Sequence, residues 1–421
     1  MKNSTLTLVL AFSFLINANA QTVTDPLITS WKMNLDGHYV ININNGDTVY
    51  TDVTEVYYDN SYVYVKSSCV PSYYNFVNNN GNHNAASDKH ATWKIARNPV
   101  AAATPPSNLG GGQCGVIIDG STFFNPEDAR SYQNANIWHQ LAWYFEGVDM
   151  DTSWGHSTPT NEYHHHVIDI AYVDTSIHDR HSPIIGYSFD GYPVYGPYGN
   201  SDPNDRSSSI IRMTPSWQKR NISQRTTFAD GTALQASQYG PAVGGQYPIG
   251  CYREDYEYVA NSGTLDTHNG RFCKTPEYPN GVYAYFATID SLNQPLYPEF
   301  IGQTFYGTIS QGNMGPNGGQ NTVPGGATLY VPAVNTGVNE IEILDWSIYP
   351  NPTSNMLTVK TGANTSYQLQ VMDVNGKNVL SQILNTQVEY IDMTNLNAGT
   401  YLLLLTESQS GKRSVSRCVK L

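Results

Sequence analysis

The chain has 421 residues, with 35 acidic against 22 basic side chains and a formal net charge of −13. It has no cluster of lysine and arginine, so it lacks the cationic surface with which nucleic-acid-binding proteins displace counterions. Charged residues make up only 14% of the chain, whereas glycine (35) and tyrosine (31) are abundant, a composition that indicates a loop-rich β protein rather than a helical bundle.

The N-terminal segment has the pattern of a secretory signal peptide. Lys2 precedes an apolar stretch at residues 6–16, and the small residues of Ala18–Ala20 precede Gln21. This arrangement suits cleavage by signal peptidase, and the apolar stretch is too short to span a bilayer. We therefore predict a signal peptide at residues 1–20, export of the chain, and no transmembrane segment in the rest of it.

Short strand-like runs, separated by Gly, Pro, Asn and Asp, recur through the central part of the chain. The runs are Glu55–Tyr58, Tyr62–Val65, Gly115–Ile118, Pro183–Gly186 and Val282–Phe286. Little helix is predicted. Asp128–Trp143 follows residues that favour a helix start and is the best helix candidate, although a strand is also compatible with its weak periodicity.

The cysteines fit an oxidising compartment. Four of them lie in the central region and can form two disulfides in three pairings: Cys69, Cys114, Cys251 and Cys273. We favour a disulfide between Cys251 and Cys273 because they are close in sequence. Cys418 is left over near the C-terminus.

The most informative stretch is Tyr163–His166, in which three histidines follow a tyrosine. If it forms a strand, alternation places His164 and His166 on one face, with the apolar run that follows, and His165 on the other. Imidazoles at the end of a buried row need a hydrogen-bonding partner or a metal ion. The stretch therefore predicts a metal site, although two hydrogen-bonded structural histidines would give the same pattern.

The sequence pattern changes toward the C-terminus. Residues 312–326 are rich in Gly and Asn, whereas short strands with turn signals follow from Glu340 onward, including a predicted hairpin turn at Met372–Gly376 and an apolar strand at Leu402–Leu405. Such strands form a small sandwich. After the signal peptide we divide the chain into a β-rich domain, a linker and a C-terminal domain, at residues 21–326, 327–339 and 340–421.

The C-terminal segment resembles the type A sorting domain of the Bacteroidetes type IX secretion system. The matching motifs occur in the same order: Tyr349-Pro350-Asn351-Pro352, Asp373-Val374-Asn375-Gly376, Gly399-Thr400-Tyr401 and the basic-then-apolar end at Lys412–Leu421. The resemblance implies an immunoglobulin-like sandwich that is recognised by the type IX machinery and normally removed. It also implies an extracellular or cell-surface location, with the cargo released or attached to lipopolysaccharide.

The region from about Gly110 to Gly307 resembles the YHYH family, which is named for a Tyr-His-Tyr-His motif. The matching pieces are Trp138-His139, Gly155-His156, Tyr163–His166, His181–Pro197, Asp230–Thr232, Gln238–Pro241, Glu254–Tyr258, Leu265-Asp266, Asn269–Cys273 and Thr275–Phe286. His165 stands where the family has its second tyrosine, which leaves the pair on the opposite face intact and adds a candidate ligand. The family has no settled activity, so the resemblance defines the domain better than the chemistry.

Five histidines at positions that match family motifs can bind a metal ion: His139, His156, His164, His166 and His181. A site of three or four imidazoles without a thiolate suits zinc or copper, whereas calcium requires mostly oxygen ligands. Asp190 is the candidate general base for a metal-bound water, although a structural role in the turn at Asp190-Gly191 is the simpler interpretation.

The sequence therefore predicts a mainly β protein, with a loop-rich, sandwich-like central domain and a small C-terminal sandwich. Two functions remain open. The first is a secreted metalloenzyme, hydrolytic or oxidative, with three histidine ligands and an open coordination position. The second is a non-catalytic extracellular module for adhesion or for capture of metal or glycan. In either case the expected ligand is an extracellular small molecule, peptide or glycan, and the sequence does not decide whether the protein is an enzyme.

Overall fold

Short strands joined by turns make up most of the structure, as the alternating sequence pattern predicts. The computed structural model describes residues 23–42, 45–74, 84–103, 108–168, 178–315, 317–332, 344, 346–362, 366–373, 377–407 and 413–421. The predicted signal peptide, most of the predicted linker and residues 374–376 of the predicted hairpin turn lie outside these ranges. The chain divides into a first unit, Met1–Tyr330, and a second unit, Val331–Leu421.

The first unit contains the strands β1 (Tyr39–Ile41), β2 (Thr48–Tyr50), β3 (Val53–Tyr58), β4 (Tyr62–Ser67), β5 (Ala91–Ala96), β6 (Gln113–Ile117), β7 (Thr122–Phe124), β8 (Glu127–Ser131), β9 (His139–Leu141), β10 (Gly155–Ser157), β11 (Tyr163–His165), β12 (Ile184–Ser188), β13 (Pro193–Tyr195), β14 (Tyr198–Asn200), β15 (Ile210–Arg212), β16 (Trp217–Lys219), β17 (Tyr256–Tyr258), β18 (Gly270–Cys273), β19 (Val282–Phe286) and β20 (Thr328–Leu329). Its α-helices within the described ranges are α1 (Pro26–Thr29) and α2 (Ala142–Phe145), and its 3₁₀ segments are Tyr132–Asn134, Gly147–Asp149, Ala236–Gln238 and Arg253–Asp255.

Two sheets carry the core of the first unit. An eight-stranded mixed sheet has the order β10-β11-β7-β6-β12-β13-β19-β18, and a four-stranded antiparallel sheet has the order β20-β3-β4-β5. All five runs predicted as strands in the central region fall within or overlap these strands. β20 lies within the predicted linker but pairs with β3, and the predicted domain boundaries stay a prediction.

Period-two alternation along the eight-stranded sheet buries both of its faces. Val116 of β6 and Ile184 of β12 pack in one cluster with Trp93 and other residues of the four-stranded sheet. Their neighbours Ile117 and Ile185 point to the opposite face and pack in a second cluster beneath long loops. The arrangement is a sandwich with a covered outer face, which confirms the predicted mainly β, loop-rich architecture.

The second unit is a smaller β-sandwich. Its strands are β21 (Trp346–Tyr349), β22 (Met356–Thr361), β23 (Tyr367–Met372), β24 (Asn378–Leu384), β25 (Val388–Asp392), β26 (Gly399–Glu407) and β27 (Arg413–Lys420). They form a sheet of order β21-β22-β25 and a sheet of order β24-β23-β26-β27. Leu357 and Val359 from the first sheet and Leu369 and Leu403 from the second share one buried core, as in an immunoglobulin-like sandwich.

The predicted helix at Asp128–Trp143 is wrong. Residues 128–131 and 139–141 of this segment belong to the antiparallel strands β8 and β9, and α2 begins only at Ala142. Contacts distant in sequence hold the segment extended: Trp138 is buried beside Tyr252, and the backbone N–H of His139 donates to Glu254 Oε2 at 2.7 Å. A weakly periodic segment yields readily to such tertiary contacts.

The predicted disulfide between Cys251 and Cys273 is also wrong. All five cysteines, including these two, are buried free thiols. Cys251 packs beside Trp138, whereas Cys273 packs in the core with Trp93, so proximity in sequence does not bring the two sulfur atoms together. Burial raises the pKa of the Cys114 thiol as well, which suppresses the reactive thiolate form.

The described part of the chain contains no helix that is long and apolar enough to cross a membrane.

Candidate metal centre

Strand pairing brings two of the predicted histidine ligands face to face. β10 runs antiparallel to β11, with His156 directly opposite His164 and Gly155 opposite His165. Residues opposite each other in an antiparallel pair project from the same face of the sheet. A Cβ atom on Gly155 would lie 2.3 Å from the hydroxyl oxygen of Tyr163, so only glycine allows the strands to approach this closely.

Alternation along the chain adds the third histidine. The Nε2 atoms of His164 and His166 lie 3.0 Å apart, whereas His165 points away, with its Nε2 atom 3.1 Å from the Tyr73 hydroxyl. This geometry confirms the predicted separation of the two faces. It also places His165, the additional candidate ligand, outside the cluster.

The backbone fixes the tautomers of His164 and His166. The Nδ1–H of His166 donates to the Asn125 carbonyl at 2.7 Å, and that of His164 donates to the Glu162 carbonyl at 3.2 Å. Because a carbonyl oxygen can only accept, the Nε2 atom of each neutral ring carries a lone pair. Two lone pairs that face each other at 3.0 Å repel unless a cation lies between them. Hydrogen bonds from Nδ1–H to a backbone carbonyl are typical of histidines that bind a metal through Nε2.

The third imidazole has an unsatisfied ligand atom. His156 Nε2 is buried and forms no hydrogen bond in the described part of the chain. One ligand atom from each of His156, His164 and His166 lies within 4.8 Å of the other two. Tetrahedral zinc with bonds of about 2.0–2.1 Å separates its ligand atoms by about 3.4 Å, so small side-chain adjustments bring the three nitrogen atoms to the separation that a metal ion requires. The residues therefore fit a zinc or copper ion.

The environment keeps the three rings neutral, which is the form that binds metal. Burial, with the charge of neighbouring histidines adding to it, lowers the pKa of His156 to about 4 and that of His166 to about 3. Burial, together with the charges of His156 and His166, also places the pKa of His164 well below its ordinary value. The His164 ring stacks on Phe124 at a centroid distance of 3.9 Å, which restricts its orientation.

A carboxylate that the sequence analysis missed stands beside the histidines. Glu146 Oε2 lies 3.6 Å from the Nε2 atoms of both His156 and His166. Burial, to which the charge of Asp128 adds, raises the pKa of Glu146 to about 7. Glu146 follows the four-residue helix α2, and neither its spacing from the histidines nor a recognised motif marks it in the sequence.

The cluster lies in the wall of a cavity of about 960 Å³. Acidic side chains outnumber basic ones in the lining: Asp88, Glu127, Asp128, Glu146, Asp149 and Glu162 against Lys89 and Arg130. Trp93 and Phe124 add aromatic surface. A metal ion bound here would be accessible to a molecule of moderate size from outside the protein.

The other two predicted ligands lie elsewhere. His139 Nδ1 is 2.6 Å from Glu254 Oε1, in a separate cleft that also contains Trp217. His181 donates through Nδ1–H to the Ser182 carbonyl at 2.8 Å, and its ring packs edge-on against Tyr195. Neither residue belongs to the described group of convergent histidines.

Asp190, the candidate general base, does not line the cavity. Its side chain is fully buried and accepts hydrogen bonds from the Ser188 hydroxyl, from the Tyr285 hydroxyl at 2.6 Å and from the Gly307 N–H at 2.8 Å. Burial raises the pKa of Asp190. These contacts support the structural interpretation of this residue.

Comparisons with solved structures find only weak likenesses. One is a DUF3244-family protein with an immunoglobulin-like β-sandwich fold from Bacteroides vulgatus, at 18% identity and a TM-score of 0.16, covering 18% of this chain and 96% of that one. Another is PorZ, an essential surface component of the type IX secretion system of Porphyromonas gingivalis, at 12% identity and a TM-score of 0.18, covering 88% of this chain and 51% of that one. The chain thus spans about half the length of PorZ, and such low scores carry no argument about fold or function. No curated protein matches the chain.

Family comparisons are more informative. Residues 92–299 match the family described as YHYH protein, and residues 347–420 match the secretion system C-terminal sorting domain. The first match contains all three clustered histidines, and the second indicates type IX export to the cell surface or the extracellular space. The two matches confirm the resemblances drawn from the motifs: the chain contains a YHYH-family region at residues 92–299 and a C-terminal sorting domain for type IX secretion at residues 347–420.

Proposed function

We propose that the YHYH domain binds one divalent metal ion, zinc or copper, through His156, His164 and His166, and that the exported protein acts as a metalloenzyme. The observation that supports metal binding most directly is the pair of Nε2 lone pairs 3.0 Å apart, with the unsatisfied Nε2 of His156 beside them. Three neutral imidazoles without a thiolate form a ligand set that suits both ions.

Access to the centre favours an enzyme over a purely structural metal site. A structural zinc ion is usually enclosed on all sides by protein, whereas a catalytic ion borders a space that water or substrate can enter. The three histidines line the 960 Å³ cavity, which suits a substrate rather than a closed structural site. Its excess of carboxylates favours a neutral or cationic extracellular substrate over a polyanion.

Metal content of protein purified without a histidine tag tests the proposal. We expect about one zinc or copper ion per chain in the wild type after dialysis against metal-free buffer, and almost none in the double variant His164→Ala, His166→Ala. His139→Ala and His181→Ala are matched controls, since each removes one imidazole outside the cluster, and we expect both to keep the wild-type metal content.

Equal metal content in the wild type and the double variant would refute the proposed centre. Loss of metal in His139→Ala or His181→Ala, with the fold intact by circular dichroism, would instead favour the broader five-histidine set.

A further inference from the structure

We infer that Glu146 is the fourth ligand of the metal centre and binds the ion from the cavity side. The inference rests on the proposed three-histidine site and adds to it a residue that neither the family motifs nor the spacing of the histidines indicates. Glu146 directly follows α2 and caps its C-terminus, where its backbone N–H donates to the Ala142 carbonyl at 2.7 Å. In this position its side chain lies beside His156 of β10 and beside His166, the residue after β11.

The distances fit coordination better than direct hydrogen bonding. Glu146 Oε2 is equidistant, at 3.6 Å, from the Nε2 atoms of His156 and His166. A direct N–H···O bond would close to about 2.7–3.2 Å. Zinc bound to nitrogen and oxygen at about 2.0–2.2 Å holds its ligand atoms about 3.4 Å apart, close to the spacing observed on both sides of the carboxylate.

The carboxylate has no other partner that would explain its position. Within the described residues, the side chain of Glu146 accepts no hydrogen bond, and the basic groups within 4 Å of it are the two imidazoles. By contrast, the carboxylate of Glu162, which lines the same cavity, accepts hydrogen bonds from Thr122 and Gln113. The carboxylate of Glu162 therefore already has hydrogen-bond donors, whereas that of Glu146 has none among the described residues and is free to bind a cation.

The charge and the solvent exposure of Glu146 indicate its role as a ligand. Three neutral imidazoles and one carboxylate reduce the charge of a divalent ion to about +1, which lowers the cost of burying it. The side chain of Glu146 is 29% exposed, against 8% for His156 and 4% for His166. It is therefore the ligand that water or a substrate entering the cavity meets first, and the one that such a molecule can displace.

The test compares zinc binding by the full-length wild type, Glu146→Gln and Asp149→Asn. Glutamine keeps the shape of Glu146 but is a poor metal ligand. Asp149→Asn removes the same unit of charge from the same cavity lining, but the Asp149 carboxylate, unlike that of Glu146, does not lie within 4 Å of the clustered imidazoles. Competition with a chromophoric chelator gives the dissociation constant for zinc, and the visible spectrum of the cobalt(II)-substituted protein reports the coordination number.

We expect Glu146→Gln to weaken zinc binding by about tenfold or more and to change the cobalt spectrum. Asp149→Asn should change the affinity by less than about threefold and leave the spectrum as in the wild type. Equal weakening in both variants would mean that only negative charge matters, and would overturn the inference.

Failure of the inference can be distinguished from failure of the three-histidine centre. Suppose that the wild type binds zinc, that the double histidine variant does not, and that Glu146→Gln keeps the wild-type affinity and spectrum. The three-histidine centre is then supported, and the role of Glu146 as a ligand is refuted. If the wild type binds no zinc at all, both fail.

Discussion

Glu299 illustrates at the scale of one residue how burial sets the chemistry of a side chain. It is 4% exposed, and its Oε2 atom has no hydrogen-bond partner among the described residues. Burial raises its pKa from 4.5 to about 8. Between these two values the folded protein holds a proton that the unfolded chain has released, so the stabilising contribution is complete below about pH 4.5 and is lost as the pH rises to about 8.

Replacing Glu299 with glutamine should remove this pH dependence while preserving the size and shape of the side chain. Because one unit of pKa corresponds to about 1.4 kcal/mol, we expect the wild type to lose a few kcal/mol more of unfolding free energy than the variant between pH 5 and pH 8. Denaturant unfolding at both pH values measures the difference, and the other titrating groups cancel because both proteins contain them. Parallel pH profiles would contradict the assignment of a protonated carboxyl group.

A residue of the metal centre was easier to predict when its position followed from the sequence pattern immediately around it. His164 and His166 follow from alternation within one strand, and their shared face was deduced correctly from the sequence. His156 was one candidate among several histidines, because its position opposite His164 depends on a strand register that the sequence does not reveal. Glu146 had no signal at all, since a carboxylate after a short helix is ordinary.

At the scale of the element, the β10–β11 hairpin is the part that forms the centre. Its two strands carry His156 and His164, and their close approach depends on the absence of a side chain at Gly155. The Tyr163 ring that would meet a Cβ atom there is fully buried and donates from its hydroxyl to Asp151 at 2.7 Å. It therefore has little freedom to move aside.

We expect Gly155→Ala to destabilise the protein by about 1–3 kcal/mol, as overpacking of a buried site typically does, and to weaken metal binding because His156 is displaced from His164. Gly111→Ala is the control: Gly111 lines the same cavity, and a Cβ atom there meets nothing within 4 Å. Thermal unfolding and zinc titration of both variants test the prediction. Wild-type zinc affinity in Gly155→Ala would show that the strand register tolerates the methyl group.

Elements were predictable where the pattern was strong and local. The alternating runs that became β3, β4 and β19 were identified correctly, because burial of one or both faces imposes the period of two. The helix prediction for Asp128–Trp143 fails because the conformation depends on distant residues. Trp138 packs against Tyr252, and Glu127, the first residue of β8, forms an ion pair with Arg253 at 2.8 Å. These partners are more than 100 residues away in sequence, so the pattern within the segment itself does not indicate their effect.

At the scale of the whole molecule, the two units have separate cores. The buried clusters around Val116 and Ile117 contain residues of the first unit, whereas the core around Leu369 and Leu403 contains residues of the second. The matches to the YHYH family and to the sorting domain fall on different units in the same way. Metal binding and export should therefore be separable.

A chain that ends after Pro332 should keep its metal centre and lose its export. The cut must lie beyond Tyr330, because β20 pairs with β3 and the Tyr330 N–H donates to the Val56 carbonyl at 2.8 Å. In a bacterium that has the type IX system, we expect this truncated chain to remain inside the outer membrane with the zinc affinity of the full-length protein. The full-length His164→Ala, His166→Ala variant should show the reverse, with normal export and no metal. Surface exposure of the truncated chain would mean that the sorting domain is dispensable, and loss of its zinc affinity would mean that the centre depends on the second unit.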